Sequence, residues 1–193
     1  MELHETRERI ERAEHAQHQE KKRAALLIIV LAVALAIIEM AGKEAQFSSI
    51  ALNIQSSDIY AFYQAKTIRG NVLRTAVEGV QALSPEAAER PAVQKQIAIW
   101  LSEIERMNSE PSTGDGRREL LERAKALEAE RDAESRSYHQ FEYAAAGLQL
   151  AIVVASAAVI TEVVLLEVIS AGLGLAGVVL AMLGWLAPTL LRL

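Results

Sequence analysis

Apolar residues are concentrated in two blocks on either side of a charged central region. Residues 24–38 carry no charge, and residues 39–42 extend this first block to nineteen residues. A helix that rises 1.5 Å per residue needs about 20 such residues to cross a bilayer core. The second block, residues 144–188, contains only Glu162 and Glu167 as charged residues. This pattern predicts transmembrane helices at 24–42, 144–161 and 168–187, with a turn at 162–167 and a short tail at 188–193.

The central region, residues 43–143, has the pattern of long helices. Helical sequence continues from the first span to Ser84-Pro85, which marks a stop and a new helix start. We expect a helix at 85–107, a loop at 108–116 (NSEPSTGDG), and a long helix from Arg117 into the second span. The predicted fold class is an all-α membrane protein, in which three transmembrane helices carry a long, coiled-coil-like helical hairpin as an extramembrane stalk.

The orientation follows from the charges beside the first span. Lys21, Lys22 and Arg23 form a basic cluster there, and the positive-inside rule predicts a cytoplasmic N-terminus. Residues 1–23, a charged helix or tail, hold six acids and six bases, and no A-x-A-like break ends the apolar run. These features favour a retained span over the alternative, a cleaved signal peptide.

The composition narrows the chemistry and the partners. The absence of cysteine excludes disulfides, thiol catalysis and Cys-type zinc sites. Residues 43–143 hold thirteen bases and sixteen acids, so we expect no nucleic-acid partner. Phosphate-binding loops, nucleophile elbows and HExxH motifs do not occur, and we expect neither enzymatic activity nor a cofactor. Four N-terminal side chains have the spacing of a weak metal site, but ordinary helix-supporting pairs explain them better: Glu11, Glu14, His15 and His18.

The stretch SSDIYAFYQAKTIRG, residues 56–70, concentrates aromatic side chains about 30 Å beyond the first span, too far for an interfacial belt. We call the two long helices of the stalk its arms, the first leading from the first span and the second returning to the second span. On the first arm, apolar and small residues at spacings of four and three predict an inward-facing row, or seam, that includes Asp58: Phe47, Ala51, Ile54, Asp58, Ala61, Ala65, Ile68 and Val72. The same spacing on the returning arm gives a seam that includes Arg131: Leu120, Ala124, Leu127, Arg131, Glu134, Tyr138 and Phe141.

Because Asp58 and Arg131 lie at nearly the same height, we predict that they form an ion pair between the two arms. The surrounding side chains complete a clamp that fixes the register of the arms: Tyr60, Phe62, Tyr63, Gln64 and Lys66. A pocket for a small ligand or a partner, lined by the same side chains, is the alternative.

Small residues recur along one face of each predicted span. The third span places five of them at alternating spacings of four and three: Ser170, Gly174, Gly177, Ala181 and Gly184. Comparable faces include Ala144, Gly147, Ala151, Ala155 and Ala158 in the second span and Ala25, Ala32 and Ala36 in the first. Small residues let helices pack closely in lipid, so we expect a homo-oligomer or a subunit of a larger membrane complex. The alternative is an oligomeric channel or transport component. In such an assembly, acids near the membrane boundaries line the central axis: Glu39, Glu162 and Glu167.

Four features of the chain point to a family: the strings SSDIYAFYQAKTIRGNV and ALEAERD (residues 126–132), the His- and Glu-bearing N-terminal tail and the Gly-rich C-terminal end. Together they resemble a bacterial family catalogued as domain of unknown function 4337. The chain departs from that family where a tryptophan usually stands near Tyr60, and in TEVVLLE, where a basic turn is usual. The resemblance implies a three-span protein of the bacterial inner membrane, with residues 43–143 periplasmic, and it implies no activity. The expected function is a non-enzymatic, self-associating scaffold or an accessory subunit.

Overall fold

The computed structural model describes residues 2–186, and the side chains from residue 22 onward. Helices account for nearly all of this range, and no strand occurs within it. The fold is therefore all-α, as predicted. Five helices follow one another along the chain: α1 (Glu2–Leu83), α2 (Pro85–Ala88), α3 (Pro91–Asn108), α4 (Arg117–Thr161) and α5 (Val164–Leu186).

Helix α1 continues without a break for 82 residues. It passes through Gly70 and Gly79, each of which costs about 1 kcal/mol relative to alanine in a helix. It ends at Leu83, and Ser84 leaves the helical conformation (φ −144°, ψ 64°) so that Pro85 occupies the first turn of the next helix. The predicted stop at Ser84-Pro85 is present.

The predicted helix at 85–107 is wrong, because it is interrupted. Helix α2 ends at Ala88, and Arg90 is extended, with φ −63° and ψ 132°. Pro91 causes the interruption, since a proline ring disfavours the helical conformation of the residue before it. Pro91 then occupies the first turn of α3.

The turn between the last two helices is shorter than the predicted 162–167. Only Glu162 and Val163 separate α4 from α5. Glu162 has a left-handed conformation (φ 56°), which ends a helix as glycine commonly does. Glu167 lies in the first turn of α5, where the positive end of the helix dipole stabilises a carboxylate. The third apolar helix therefore starts four residues earlier than expected.

The chain divides into two compact units: Met1–Phe47 with Ala133–Leu193, and Ser48–Asp132. In the first unit Leu148 is fully buried, and Leu31, Ile38 and Phe141 belong to the same core. Three helices of the described chain are long and apolar enough to cross a membrane: the part of α1 from Lys22 onward, α4 and α5.

The second unit contains the C-terminal part of α1 and the N-terminal part of α4, together with α2 and α3. Its buried apolar side chains come from three helices: Val77 of α1, Ile97, Ile104 and Met107 of α3, and Leu120 and Ala124 of α4. The loop between α3 and α4 covers residues 109–116, in close agreement with the predicted loop. This unit contains the aromatic stretch.

Candidate functional site

Two of the predicted clamp aromatics face α4 within the second unit. The Tyr63 hydroxyl accepts a hydrogen bond of 3.2 Å from Arg117 Nη2. The same guanidinium lies over the Tyr63 ring, 5.1 Å from its centroid. Burial raises the pKa of the Tyr60 phenol, and the Glu128 carboxylate raises it further. Tyr60 and Tyr63 thus connect α1 to two positions on α4.

The structure does not bring Asp58 and Arg131 together. Asp58 is exposed. Arg131 Nη1 instead donates a hydrogen bond of 3.2 Å to Asn53 Oδ1, and Arg131 Nη2 lies 2.8 Å from Asp132 Oδ1. The bonded Asp132 carboxylate raises the pKa of Arg131. The contact between the arms at this level is therefore Asn53 with Arg131, and the predicted ion pair is wrong.

The error has a geometric cause. Every position of the predicted α1 seam is exposed, and the inward face lies one or two residues along, a rotation of about 100–200° around the helix. On α4 the predicted seam is the inward one, with Leu120, Ala124 and Phe141 buried and the others half-buried. In the second unit the inward face of α1 comprises Ser49, Leu52, Ser56, Ile59, Tyr63, Lys66, Gly70, Leu73 and Val77.

Two of the three remaining clamp residues lie towards solvent. Phe62 and Gln64 are exposed. Lys66 is half-buried, and its Nζ lies 5.0 Å from the centroid of the Phe62 ring. Next to them Arg69 Nη2 lies 2.6 Å from Glu103 Oε1, which ties α1 to α3. Phe62, Lys66 and these two charged residues line one open groove of the second unit. The six predicted residues around Arg131 therefore do not form one site.

A polar cluster that the sequence analysis missed closes the loop before α4. The Glu119 carboxylate accepts a hydrogen bond of 2.6 Å from Ser109 Oγ and one of 3.2 Å from the Glu110 backbone N–H. The Ser109 hydrogen bond, above all, lowers the pKa of Glu119 to about 2. A Cβ atom at Gly116 would overlap this carboxylate and the loop backbone. A glutamate at the third position of the helix was the available signal, since it commonly bonds back to preceding backbone.

The predicted small-residue face of α5 is its buried face. All five residues are buried: Ser170, Gly174, Gly177, Ala181 and Gly184. Ser170 Oγ donates a hydrogen bond of 2.8 Å to the Ala151 carbonyl of α4. A Cβ atom at Gly177 would lie 3.1 Å from the Ala144 carbonyl and 3.2 Å from Leu148 Cγ. The glycines therefore let α5 approach α4 closely.

This packing changes the argument for an oligomer. Four of the five small residues on α4 are buried and Gly147 is half-buried, so the small faces of α4 and α5 serve packing within the first unit. The small residues of the predicted α1 face remain exposed: Ala25, Ala32 and Ala36. Of the three predicted small-residue faces, the one left exposed is therefore on α1.

The three boundary acids lie in different settings. Glu39 is exposed, and its Oε1 accepts a hydrogen bond of 3.3 Å from Gln149 Nε2. Gln149 and Glu162 are thirteen residues apart on the chain, which corresponds to about 20 Å along α4. Glu162 is exposed in the turn, and Glu167 is half-buried. Glu39 and Glu162 therefore lie at different levels of the first unit and do not belong to one ring.

The predicted metal candidates Glu11, Glu14, His15 and His18 have side chains outside the described residues. From residue 22 to residue 186, no group of three His, Asp or Glu side chains is arranged to hold a metal ion.

Comparison with known proteins identifies a family but supplies no characterised relative. No curated protein and no solved structure matches the chain. The family described as "Domain of unknown function (DUF4337)" matches residues 20–187, which contain α1 from residue 20 onward and the whole of α2 to α5. Because that match covers most of the sequence, the chain belongs to the DUF4337 family.

Proposed function

We propose that the protein is a non-enzymatic membrane scaffold, or an accessory subunit of a membrane complex, that self-associates and presents its second unit for protein contacts. The observation that carries the proposal is the continuity of α1. One helix supplies both an apolar span in the first unit and an arm of the hairpin in the second. Such a helix joins the span to the hairpin without an intervening loop.

The surface of the first unit supports membrane insertion. Each of the three long helices has several large apolar side chains that are more than half exposed. Examples are Leu26 of α1, Val153 of α4 and Leu175 of α5. Water-soluble proteins rarely expose continuous apolar surface of this extent, whereas lipid is a suitable solvent for it. In our proposal the three helices cross a bacterial inner membrane, with the N-terminus in the cytoplasm and residues 43–143 in the periplasm.

The second unit supports a role in protein contact. Between Glu44 and Lys66, helix α1 carries a single charge, Asp58, and several of its exposed side chains are apolar. In the same unit the exposed positions of α4 are mostly charged. A charged face is stable in water, whereas an exposed apolar face beside it is typical of a protein-binding surface.

Extraction and labelling test the anchoring and the orientation. We expect the protein to stay with membranes at alkaline pH and to require detergent for release. The chain has no cysteine, so Ser112→Cys in the α3–α4 loop and Thr161→Cys beside the turn report one position each. An impermeant maleimide should label Ser112→Cys in intact cells and Thr161→Cys only after lysis. The reverse result would overturn the orientation, and release without detergent would overturn membrane anchoring.

An oligomeric channel or transport component is the second candidate, and the exposed Glu39–Gln149 pair favours it. A carboxylate on a surface of this kind is costly in lipid unless water or another polar group faces it. Around a common axis, copies of Glu39 would line a wet path. Reconstituted protein should then conduct ions, Glu39→Gln should change the ion selectivity, and Glu162→Gln, at another level, serves as the control. Tight liposomes at all protein densities would reject this candidate.

A further inference from the structure

We propose that a second copy of this chain docks along the outward face of α1, with the two α1 helices parallel. This inference rests on the proposed self-association and names its surface. We call that surface the outer seam, and it comprises Leu26, Val30, Val33, Ile37, Met40, Glu44, Phe47, Ala51, Ile54, Asp58, Ala61, Ala65, Ile68 and Val72.

The outer seam is exposed at every position. In the second unit the exposed fractions are 56% for Ile54, 65% for Ile68 and 61% for Val72. Lipid solvates such side chains within a bilayer, but the second unit lies beyond the apolar run at 24–42. Each large aliphatic side chain left in water there forgoes the free energy of burial. The part of the outer seam in the second unit therefore requires a binding partner that removes it from water.

The spacing of the outer seam identifies this binding partner as a helix. The fourteen positions alternate by four and three residues without interruption, a mean period of 3.5. A seam of that period stays in contact with a partner only when the partner is another helix that runs alongside it. Alanines at 51, 61 and 65 allow the two helix axes to approach closely.

The length of the seam matches α1 itself. The seam extends over 47 residues, or about 70 Å of helix. A strip of that length and about 10 Å width amounts to about 700 Å² per copy, or about 1,400 Å² in total, within the range of stable protein interfaces. A second α1 covers the whole strip, because it has the same length by definition.

The residues that precede the two acids of the outer seam fit a parallel copy. Each acid follows a donor, Lys43 before Glu44 and Ser57 before Asp58. In a parallel coiled coil the residue before such a core position flanks the equivalent core residue of the other helix. Lys43 then faces Glu44 of the second copy, and Ser57 can donate to its Asp58. Within the described side chains, no ion pair or hydrogen bond engages Lys43, Glu44 or Asp58.

Disulfide cross-linking tests the surface on a chain without native cysteines. The test variants are Ala51→Cys, Ala61→Cys and Ala65→Cys in the full-length protein in liposomes. The matched controls Ala126→Cys and Ala129→Cys replace equally exposed alanines on the charged face of α4. Mild oxidation should convert the three seam variants to covalent dimers and leave the controls monomeric. Equal cross-linking of both groups, or cross-linking of the controls alone, would overturn the proposal.

Association strength gives a second readout. Two copies of Asp58 face each other in the parallel pair, so Asp58→Asn should tighten dimerisation about tenfold, whereas Ile68→Asp should weaken it by a similar factor. Sedimentation equilibrium in detergent measures both, and unchanged helix content by circular dichroism verifies folding. An oligomer that is indifferent to both variants rejects the seam but keeps self-association. A wild-type protein that is monomeric at every concentration rejects both.

Discussion

Arg117 binds Tyr63 in two ways at once, through a 3.2 Å hydrogen bond to the hydroxyl and through its guanidinium over the ring. Arg117 is the first residue of α4, and Tyr63 lies in the middle of the α1 segment of the second unit. The Arg117 Nη1 also donates a 3.1 Å hydrogen bond to Asn108 Oδ1, the last residue of α3. One arginine therefore joins three helices of this unit.

Two substitutions at Tyr63 separate the two interactions. Tyr63→Phe removes only the hydrogen bond and should lower the free energy of unfolding by about 0.5–1.5 kcal/mol. Tyr63→Leu also removes the cation–π contact and should cost about 0.5–1 kcal/mol more. Phe62→Leu, at the neighbouring exposed ring, removes only the contact with Lys66 and should cost less than Tyr63→Leu. Urea titration of the solubilised protein measures all three, and equal losses for Phe62→Leu and Tyr63→Leu would contradict the assignment.

Double-mutant cycles at Arg131 distinguish the observed contact from the one that the sequence predicts. Asn53 and Arg131 share a hydrogen bond, so Asn53→Ala and Arg131→Ala should have effects on the melting temperature that do not add. Asp58→Ala and Arg131→Ala should be additive, because Asp58 is exposed and no ion pair joins the two residues in the described structure. Coupling in the Asp58 cycle and none in the Asn53 cycle would reverse this assignment.

The two arms show why one inward face was predictable and the other was not. On the part of α4 in the second unit the exposed positions are mostly charged, so Leu120 and Ala124 can belong only to the buried face. On α1 apolar residues stand on both sides, with Leu52 and Leu73 facing inward and Ile54 and Ile68 facing outward. Periodicity alone cannot choose between two such faces. The ambiguity itself indicates that α1 has two faces to cover.

The polar contacts required the folded backbone. The link between Ser109 and Glu119 depends on how the loop residues return towards α4, and Gly116 must leave room for the carboxylate. The α5 face was easier to predict, because its small residues from Ser170 to Gly184 recur at regular spacings of four and three along an apolar helix. Pro91 gave a clear local signal for the break before α3, and that break follows from proline chemistry alone.

Glu119 should give the second unit a specific acid sensitivity. Its pKa is lowered from 4.5 to about 2 in the folded protein, so the ionised carboxylate stabilises the fold. That contribution is complete above pH 4.5 and is lost as the pH falls towards about 2. Glu119→Gln should therefore be less stable than the wild type at pH 6, and the difference should shrink at pH 3. Urea titrations at both values measure this.

The exposed Glu122 on the same helix provides the control for this experiment. Glu122→Gln removes one negative charge as well, but it disturbs no hydrogen bond with the loop. Its effect on unfolding should be small at both pH values. A pH-independent difference between Glu119→Gln and the wild type would show that the carboxylate charge does not hold the loop.

The glycines of α5 should differ in their tolerance of a side chain according to the face they occupy. A Cβ atom at Gly177 would meet the Ala144 carbonyl at 3.1 Å, whereas one at Gly172 would meet nothing within 4 Å. Gly177→Val should therefore force α5 away from α4 and cost about 1–3 kcal/mol, while Gly172→Val places the same side chain on the exposed face at little cost. Unfolding of the solubilised protein by increasing SDS measures the difference, and the pair controls for helix propensity because both are glycine-to-valine changes in one helix. Equal destabilisation by the two variants would mean that the close approach of α4 and α5 at Gly177 does not contribute to stability. A loss of stability confined to Gly172→Val would place the packing face on the opposite side of the helix.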